Sequence, residues 1–216
     1  MLNIVIIGTG AVAAEITDYL IDSNDKYNTN YNIVGYLEYE CNINKYYKKY
    51  NFENPVVGDL DNFNYDKTLN YLIGVSNINF KKKIIKILEE KGVKPINFIH
   101  PSTIISKNVK IGVGNIIYPN CIIGPNTSIG DYNLMTSFSV ISHDNIIGNN
   151  NFFATSVLCG NVIVGNYNFF SIRSTIIPNI TIGNENLIQA GMIINSNIQD
   201  ETTTFYRHKE KIIYKK

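Results

Sequence analysis

The side chains best suited to move protons in this chain are its three histidines, each in a different setting. His100 precedes Pro101, where two dissimilar halves of the sequence join. His208 lies in a basic C-terminal stretch. His143 is followed by Asp144 within Ile-Ser-His-Asp-Asn, in the middle of the second half. An imidazole titrates near neutral pH, so it can take up and return a proton under ordinary conditions. A histidine at the corner of a regular structure also serves as a purely structural residue, and its position leaves both roles open. Three histidines, two of them outside the second half's repeat, and three scattered cysteines (Cys41, Cys121 and Cys159) have no metal-ligand spacing, so no metal is expected. The cysteines read as buried thiols of a reducing cytoplasm.

The other candidate is a glycine turn. Leu2 to Ile7 is an apolar run that ends in Gly8-Thr9-Gly10-Ala11-Val12-Ala13, the pattern G-x-G-x-x-A. Backbone N–H groups in such a turn, at the start of a helix, can cradle a diphosphate. The same turn also occurs as a tight connection without a ligand. Glu38 closes the next apolar run, where an acidic side chain can hold ribose hydroxyls.

These groups must be positioned by two kinds of element. In the first half, Leu2–Ile7, Asn32–Leu37, Pro55–Gly58, Asn70–Val75 and Lys94–Ile99 read as strands. Ala11–Leu20 and Phe80–Lys91 have apolar residues at helical spacing, and alternating strands and helices predict a small parallel sheet. The second half repeats every six residues. Ile105, Ile111, Ile117, Ile123, Ile129, Met135, Ile141, Ile147 and Phe153 are all apolar. After a slip of one residue the series continues through Leu158, Val164, Phe170, Ile176, Ile182, Ile188 and Ile194. A glycine or small residue commonly follows, and Asn, Ser, Thr or Cys recurs four residues after the apolar position. This hexapeptide repeat predicts a parallel β-helix in which three short strands and three corners make one coil. The expected organisation is an α/β, Rossmann-like domain over 1–100, a left-handed β-helix over 101–198 and a tail over 199–216.

Composition narrows the function classes. The 216 residues carry a net charge of +1, with 44% hydrophobic and 17% charged residues. That composition folds, and it offers no basic field for nucleic acid. No apolar run approaches a membrane span, and the first ten residues lack the features of a secretory signal. A cytoplasmic protein is the expectation.

The segments IVIIGTGAVAAEI, IVGYLE, INFIHPSTIIS, VISHDNIIG, GNVIVG and IPNITIGNENLIQAG, in this order, resemble the bacterial NeuD/PglD family of sugar acyltransferases. The resemblance covers nearly the whole chain. It implies an acyl-CoA donor, usually acetyl-CoA, and a UDP- or dTDP-linked amino-sugar acceptor used in surface glycan biosynthesis. It implies a homotrimer with sites between neighbouring β-helices. On this sequence His143 falls on the family's catalytic histidine and Asp144 on its acidic neighbour. Gly160, Ile172 and Ala190 fall near positions that line pantetheine. Gly8, Gly10, Ala11, Glu38, Gly74, Ser76 and Asn77 fall on the nucleotide pocket. A base such as His143 would deprotonate the acceptor, and a backbone N–H such as that of Gly160 would bind the thioester oxyanion. If His143 and Asp144 lie on a strand, their side chains point to opposite faces, and Asp144 would act at a subunit interface.

Three departures from the family pattern stand out. Phe152 occupies the place where many relatives carry a second histidine. Gly148 and Gly165 are one residue closer than the family spacing. The usual C-terminal segment is replaced by TTTFYRHKEKIIYKK, in which Arg207, Lys209 and Lys211 are either solvated or placed for CoA phosphates. Two other readings follow: O-acetylation of a sugar hydroxyl with the same base, and a catalytically silent nucleotide-sugar-binding trimer. Phe138, Phe152, Tyr167 and Phe169 are the expected contributors to trimer faces.

Overall fold

A computed structural model describes residues 1–39, 42 and 47–206. Cys41, Arg207, His208, Lys209 and Lys211 lie outside the described residues. The first half runs β1 (Leu2–Ile7), α1 (Ala11–Tyr27), β2 (Tyr31–Leu37), β3 (Val56–Gly58), β4 (Asn70–Ile73) and α2 (Ile78–Glu90). The sheet order is β3-β2-β1-β4, and every pairing is parallel. The continuous apolar run of β1 reflects burial on both faces: Ile4 and Ile6 pack towards α1, whereas Val5 and Ile7 pack towards α2. α1 buries Ala13, Ile16 and Leu20 at helical spacing. α2 begins at Asn77, whose side chain accepts a 2.8 Å hydrogen bond from the Phe80 N–H.

Residues 94–97 are not a strand. Only Phe98–Ile99 is extended, and it pairs with Ile116–Ile117 of the second half. This pair, β5, is therefore the first strand of the solenoid and not the last of the N-terminal sheet. At the other end Thr203–Thr204 pairs with Leu187–Ile188. The solenoid consists of parallel two-residue strands stacked into three sheets of five, seven and six strands.

The inward side chains are those of the six-residue series. All are buried except Ile105 and Ile111, which belong to the first coil and have stacked neighbours on one side only. Phe153 and Phe170 stack inside with ring centroids 4.7 Å apart. The recurrent asparagines have a ladder function. Asn115, Asn133, Asn151 and Asn168 each accept, through Oδ1, the backbone N–H of the next member, at 2.8–2.9 Å. Each ladder bond satisfies a buried corner N–H that no strand partner reaches.

The shortened coil can now be placed. Leu134 pairs with Phe152, 18 residues on, whereas Val140 pairs with Val157, 17 residues on. The missing residue therefore falls in the corner formed by Ala154, Thr155 and Ser156, not in the corner that carries His143.

Candidate active site

His143 and Asp144 occupy a corner between the strands Val140–Ile141 and Ile146–Ile147. Asp144 has φ +59°, in the left-handed region. This turn overturns the expectation that the two side chains diverge as on a strand. The Asp144 Oδ2 lies 2.7 Å from the Nδ1 of His143 in the same chain. The other carboxylate oxygen accepts a 2.6 Å hydrogen bond from Nδ2 of Asn126, one coil earlier. Asn126, first, and then His143 hold the Asp144 carboxyl below the usual carboxylate range. An ionised carboxylate only accepts, so Nδ1 of His143 is the donor in this contact and Nε2 is the ring nitrogen left for a substrate. The imidazole is 60% exposed and free to meet a substrate.

Gly160 lies one coil above. A Cβ there would lie 2.6 Å from Nε2 of His143, so only glycine leaves room for the ring. Pro125, His143, Gly160 and Pro178 hold equivalent places in successive corners. Proline fits at two of them because the backbone N–H at this place takes no part in the ladder. The Gly160 N–H accordingly has no acceptor among the described residues. An exposed imidazole and a glycine whose N–H is unused among the described residues thus pack against each other.

Ile172 and Ala190 are elsewhere. They line a cavity of about 620 Å³ at the next corner, with Tyr118, Phe138, Phe152 and Phe169. Neither His143 nor Gly160 belongs to its wall. One side of this cavity is α1, and Tyr118 donates a 2.9 Å hydrogen bond to Glu15. Burial, reinforced by the Glu15 charge, pushes the Tyr118 hydroxyl far above its ordinary pKa and keeps it a donor.

A third site is a pocket of about 410 Å³ lined by every N-terminal candidate: Gly8, Gly10, Ala11, Glu38, Gly74, Ser76 and Asn77. Gly8 has φ +106°, and a side chain there would press on Val75 and the Gly74 carbonyl. Asn77 lines the wall while capping α2. Glu38 is buried, and its carboxylate is already engaged. Oε2 accepts from the Thr9 N–H and hydroxyl, both at 3.0 Å. Oε1 accepts from the Tyr39 N–H at 2.8 Å and from Asn42 at 3.2 Å. Glu38 thus braces the glycine turn. Asn42 and Asn126 are the residues here that sequence reasoning missed. Asn126 had a signal, since it precedes Asp144 by one 18-residue coil.

Other expectations resolve as follows. His100 is a buried connector, with Nδ1 2.8 Å from Ser102 Oγ and Nε2 3.3 Å from Asp22 Oδ2. Burial lowers its pKa, against the opposing pull of Asp22. Cys121 is buried and Cys159 partly so. Among the described residues no group of three or more His, Cys, Asp or Glu side chains is placed to hold a metal. No described helix is long and apolar enough to cross a membrane. Of the aromatic residues expected on trimer faces, Phe152 is buried, Phe169 is partly buried against the first-half core, and Tyr167 lies beneath Lys82. Phe138 alone of the four is exposed. The remaining outward apolar surface on the solenoid faces is instead mostly isoleucine, including Ile104, Ile122, Ile146, Ile163 and Ile193.

Comparison with solved structures gives these features a context. The chain superposes on PerB from Caulobacter crescentus, solved with CoA and GDP-perosamine, with TM-score 0.76 and 25% identity over 93% of this chain and 92% of that one. The architecture is that of a hexapeptide-repeat sugar acetyltransferase. The acetyltransferase domain of PglB from Neisseria gonorrhoeae FA1090 matches with TM-score 0.79 and 19% identity over 94% of this chain and 96% of that one. WeeI from Acinetobacter baumannii AYE matches with TM-score 0.75 and 18% identity over 94% and 96%. No family model and no curated protein matches the sequence. In this acetyltransferase architecture the exposed His143–Asp144 pair occupies a solenoid corner.

Proposed function

We propose that the chain transfers an acetyl group from acetyl-CoA to the amino group of a nucleotide-linked sugar, with His143 as general base. The observation that carries this reading is the 2.7 Å contact between His143 Nδ1 and Asp144, with Gly160 packed against the same ring. As the amine attacks the thioester carbonyl, a C–N bond forms and Nε2 of His143 takes the amine proton. Asp144 stabilises the resulting imidazolium. The Gly160 N–H donates a hydrogen bond to the developing oxyanion. Collapse breaks the C–S bond, and the imidazolium returns its proton to the leaving thiolate.

The division of labour follows the two halves. The sheet and helices that precede Phe98 form a Rossmann-like domain that holds the nucleotide at the pocket of Gly8, Gly74 and Ser76. The coils from Phe98 to Thr204 form a left-handed solenoid that carries the transfer chemistry. Gly160 and the Ile172–Ala190 cavity lie at different corners of one chain. A CoA arm that touches both needs the corner of a second copy, and the exposed isoleucines provide apolar surface for it. This arrangement supports a homotrimer.

Free-thiol release from acetyl-CoA, measured against GDP-, UDP- and dTDP-linked amino-sugars, tests the reading. Release with one sugar, abolished in His143→Ala, is expected. Transfer that survives in His143→Ala would overturn the role of the base. Release with a sugar that lacks an amine would favour O-acetylation. Nucleotide-sugar binding without CoA binding would favour the silent trimer, which the Phe152 replacement and the shortened corner motivate. Light scattering at the mass of one chain would remove the shared site.

A further inference from the structure

We propose that Asn126 is a positioning residue for acyl transfer: its side-chain amide holds the Asp144 carboxylate in the orientation that fixes the His143 imidazole. This inference rests on the reading of His143 as the base. Asn126 and Asp144 occupy the same place in successive corners, with φ of +58° and +59°. Their side chains therefore project in parallel, one above the other. The contacts form a chain: Asn126 Nδ2 to Asp144 Oδ1 at 2.6 Å, then Asp144 Oδ2 to His143 Nδ1 at 2.7 Å.

The same column shows how the carboxylate is reserved for the histidine. Asn161, the next member, turns its amide away and donates to Asn179 at 2.7 Å. Asp144 thus receives one amide from below and leaves its second oxygen to His143. The Asp144 side chain is 47% exposed, and without a tether it would sample several rotamers in water. A hydrogen bond to a charged acceptor is stronger than the neutral amide–amide contacts of such a ladder. Asn126 is thus placed to select the one rotamer that bonds Nδ1. That rotamer keeps the proton on Nδ1 and the lone pair on Nε2, where the acceptor's proton must go.

The test uses the full-length protein. Asn126→Gly keeps the left-handed corner and removes the amide. Asn126→Asp keeps the shape and replaces the donor with a second carboxylate. Both are measured beside wild type and His143→Ala, for kcat, KM and the nitrogen chemical shifts of His143, which distinguish the two ring tautomers. We expect kcat to fall by roughly tenfold to a hundredfold in Asn126→Gly, and by at least as much in Asn126→Asp. KM for both substrates should stay near wild type. The tautomer population should move from Nδ1–H towards Nε2–H. Wild-type kcat and an unchanged tautomer in either folded variant would overturn the inference. Transfer that persists in His143→Ala would instead remove the reading beneath it, so the two failures are distinguishable. A merely structural Asn126 would change the melting temperature and leave the tautomer where it is.

Discussion

The His143 imidazole lies so close to the backbone of Gly160 that a methyl group at Gly160 would overlap the ring. Two residues 17 positions apart are brought together because the coil between them is the shortened one. Gly160 does not have a left-handed φ, so alanine is tolerated by the backbone itself. Gly160→Ala should therefore push the ring aside while the solenoid stays folded. We expect kcat to drop by about 10²-fold or more, approaching the His143→Ala level, with a small change in melting temperature. Initial rates and a thermal melt check this. Wild-type turnover would mean that the ring finds its working position without this contact.

Glu38 should matter for the shape of the nucleotide pocket more than for direct contact with a ribose. Its removal in Glu38→Ala strands the Thr9 N–H and hydroxyl, both of which it now accepts at 3.0 Å. An unpartnered buried donor costs about 1–3 kcal/mol. Glu38→Gln should also be destabilised, because its amide group would face donors on either side. Denaturant unfolding together with calorimetry for the nucleotide-sugar reads both effects. Normal stability with lost binding would point back to a direct ribose contact.

Lys81 should make stability depend on pH. It is buried in α2, its Nζ donates 2.8 Å to the Tyr132 carbonyl, and burial lowers its pKa from 10.5 to about 7. Above about pH 7 the folded protein holds this amine neutral, while the unfolded chain stays protonated up to about 10.5. The unfolded state thus binds more protons in that window, and the contribution of Lys81 to stability rises with pH. Below the window both states are protonated and the penalty is constant. The slope should reach about 1.4 kcal/mol per pH unit and be absent in Lys81→Met. Equal slopes in the two proteins would show that the amine stays charged when folded.

The stacked pair Phe153 and Phe170 fills the interior where the coil is shortened. Phe153→Ala leaves a cavity that its flat two-residue strands cannot close. A loss of roughly 3–5 kcal/mol is expected in urea unfolding. A loss below about 1 kcal/mol would mean that the coils collapse onto the gap.

The residue order by itself determined the solenoid. Ile117, Ile123 and Ile129 recur every sixth place because each inward side chain must fill the same spot in its coil, and a strict spatial repeat leaves a strict sequence repeat. It also determined the glycine turn, since Gly8 sits where φ is positive and the backbone approaches Gly74. The tertiary structure decided the chemistry around His143. Adjacent residues were expected to diverge, and the left-handed corner at Asp144 makes them converge. Asn126 joins them from one coil away, and Glu38, in the pocket wall, engages Thr9 with its carboxylate. Lys94–Ile99 reads as one strand, yet only Phe98–Ile99 is extended, and it pairs in the solenoid. Periodic burial is written into every repeat and can be read locally. Hydrogen bonds between side chains depend on corner dihedrals and on coil-to-coil register, which exist only once the chain has closed on itself.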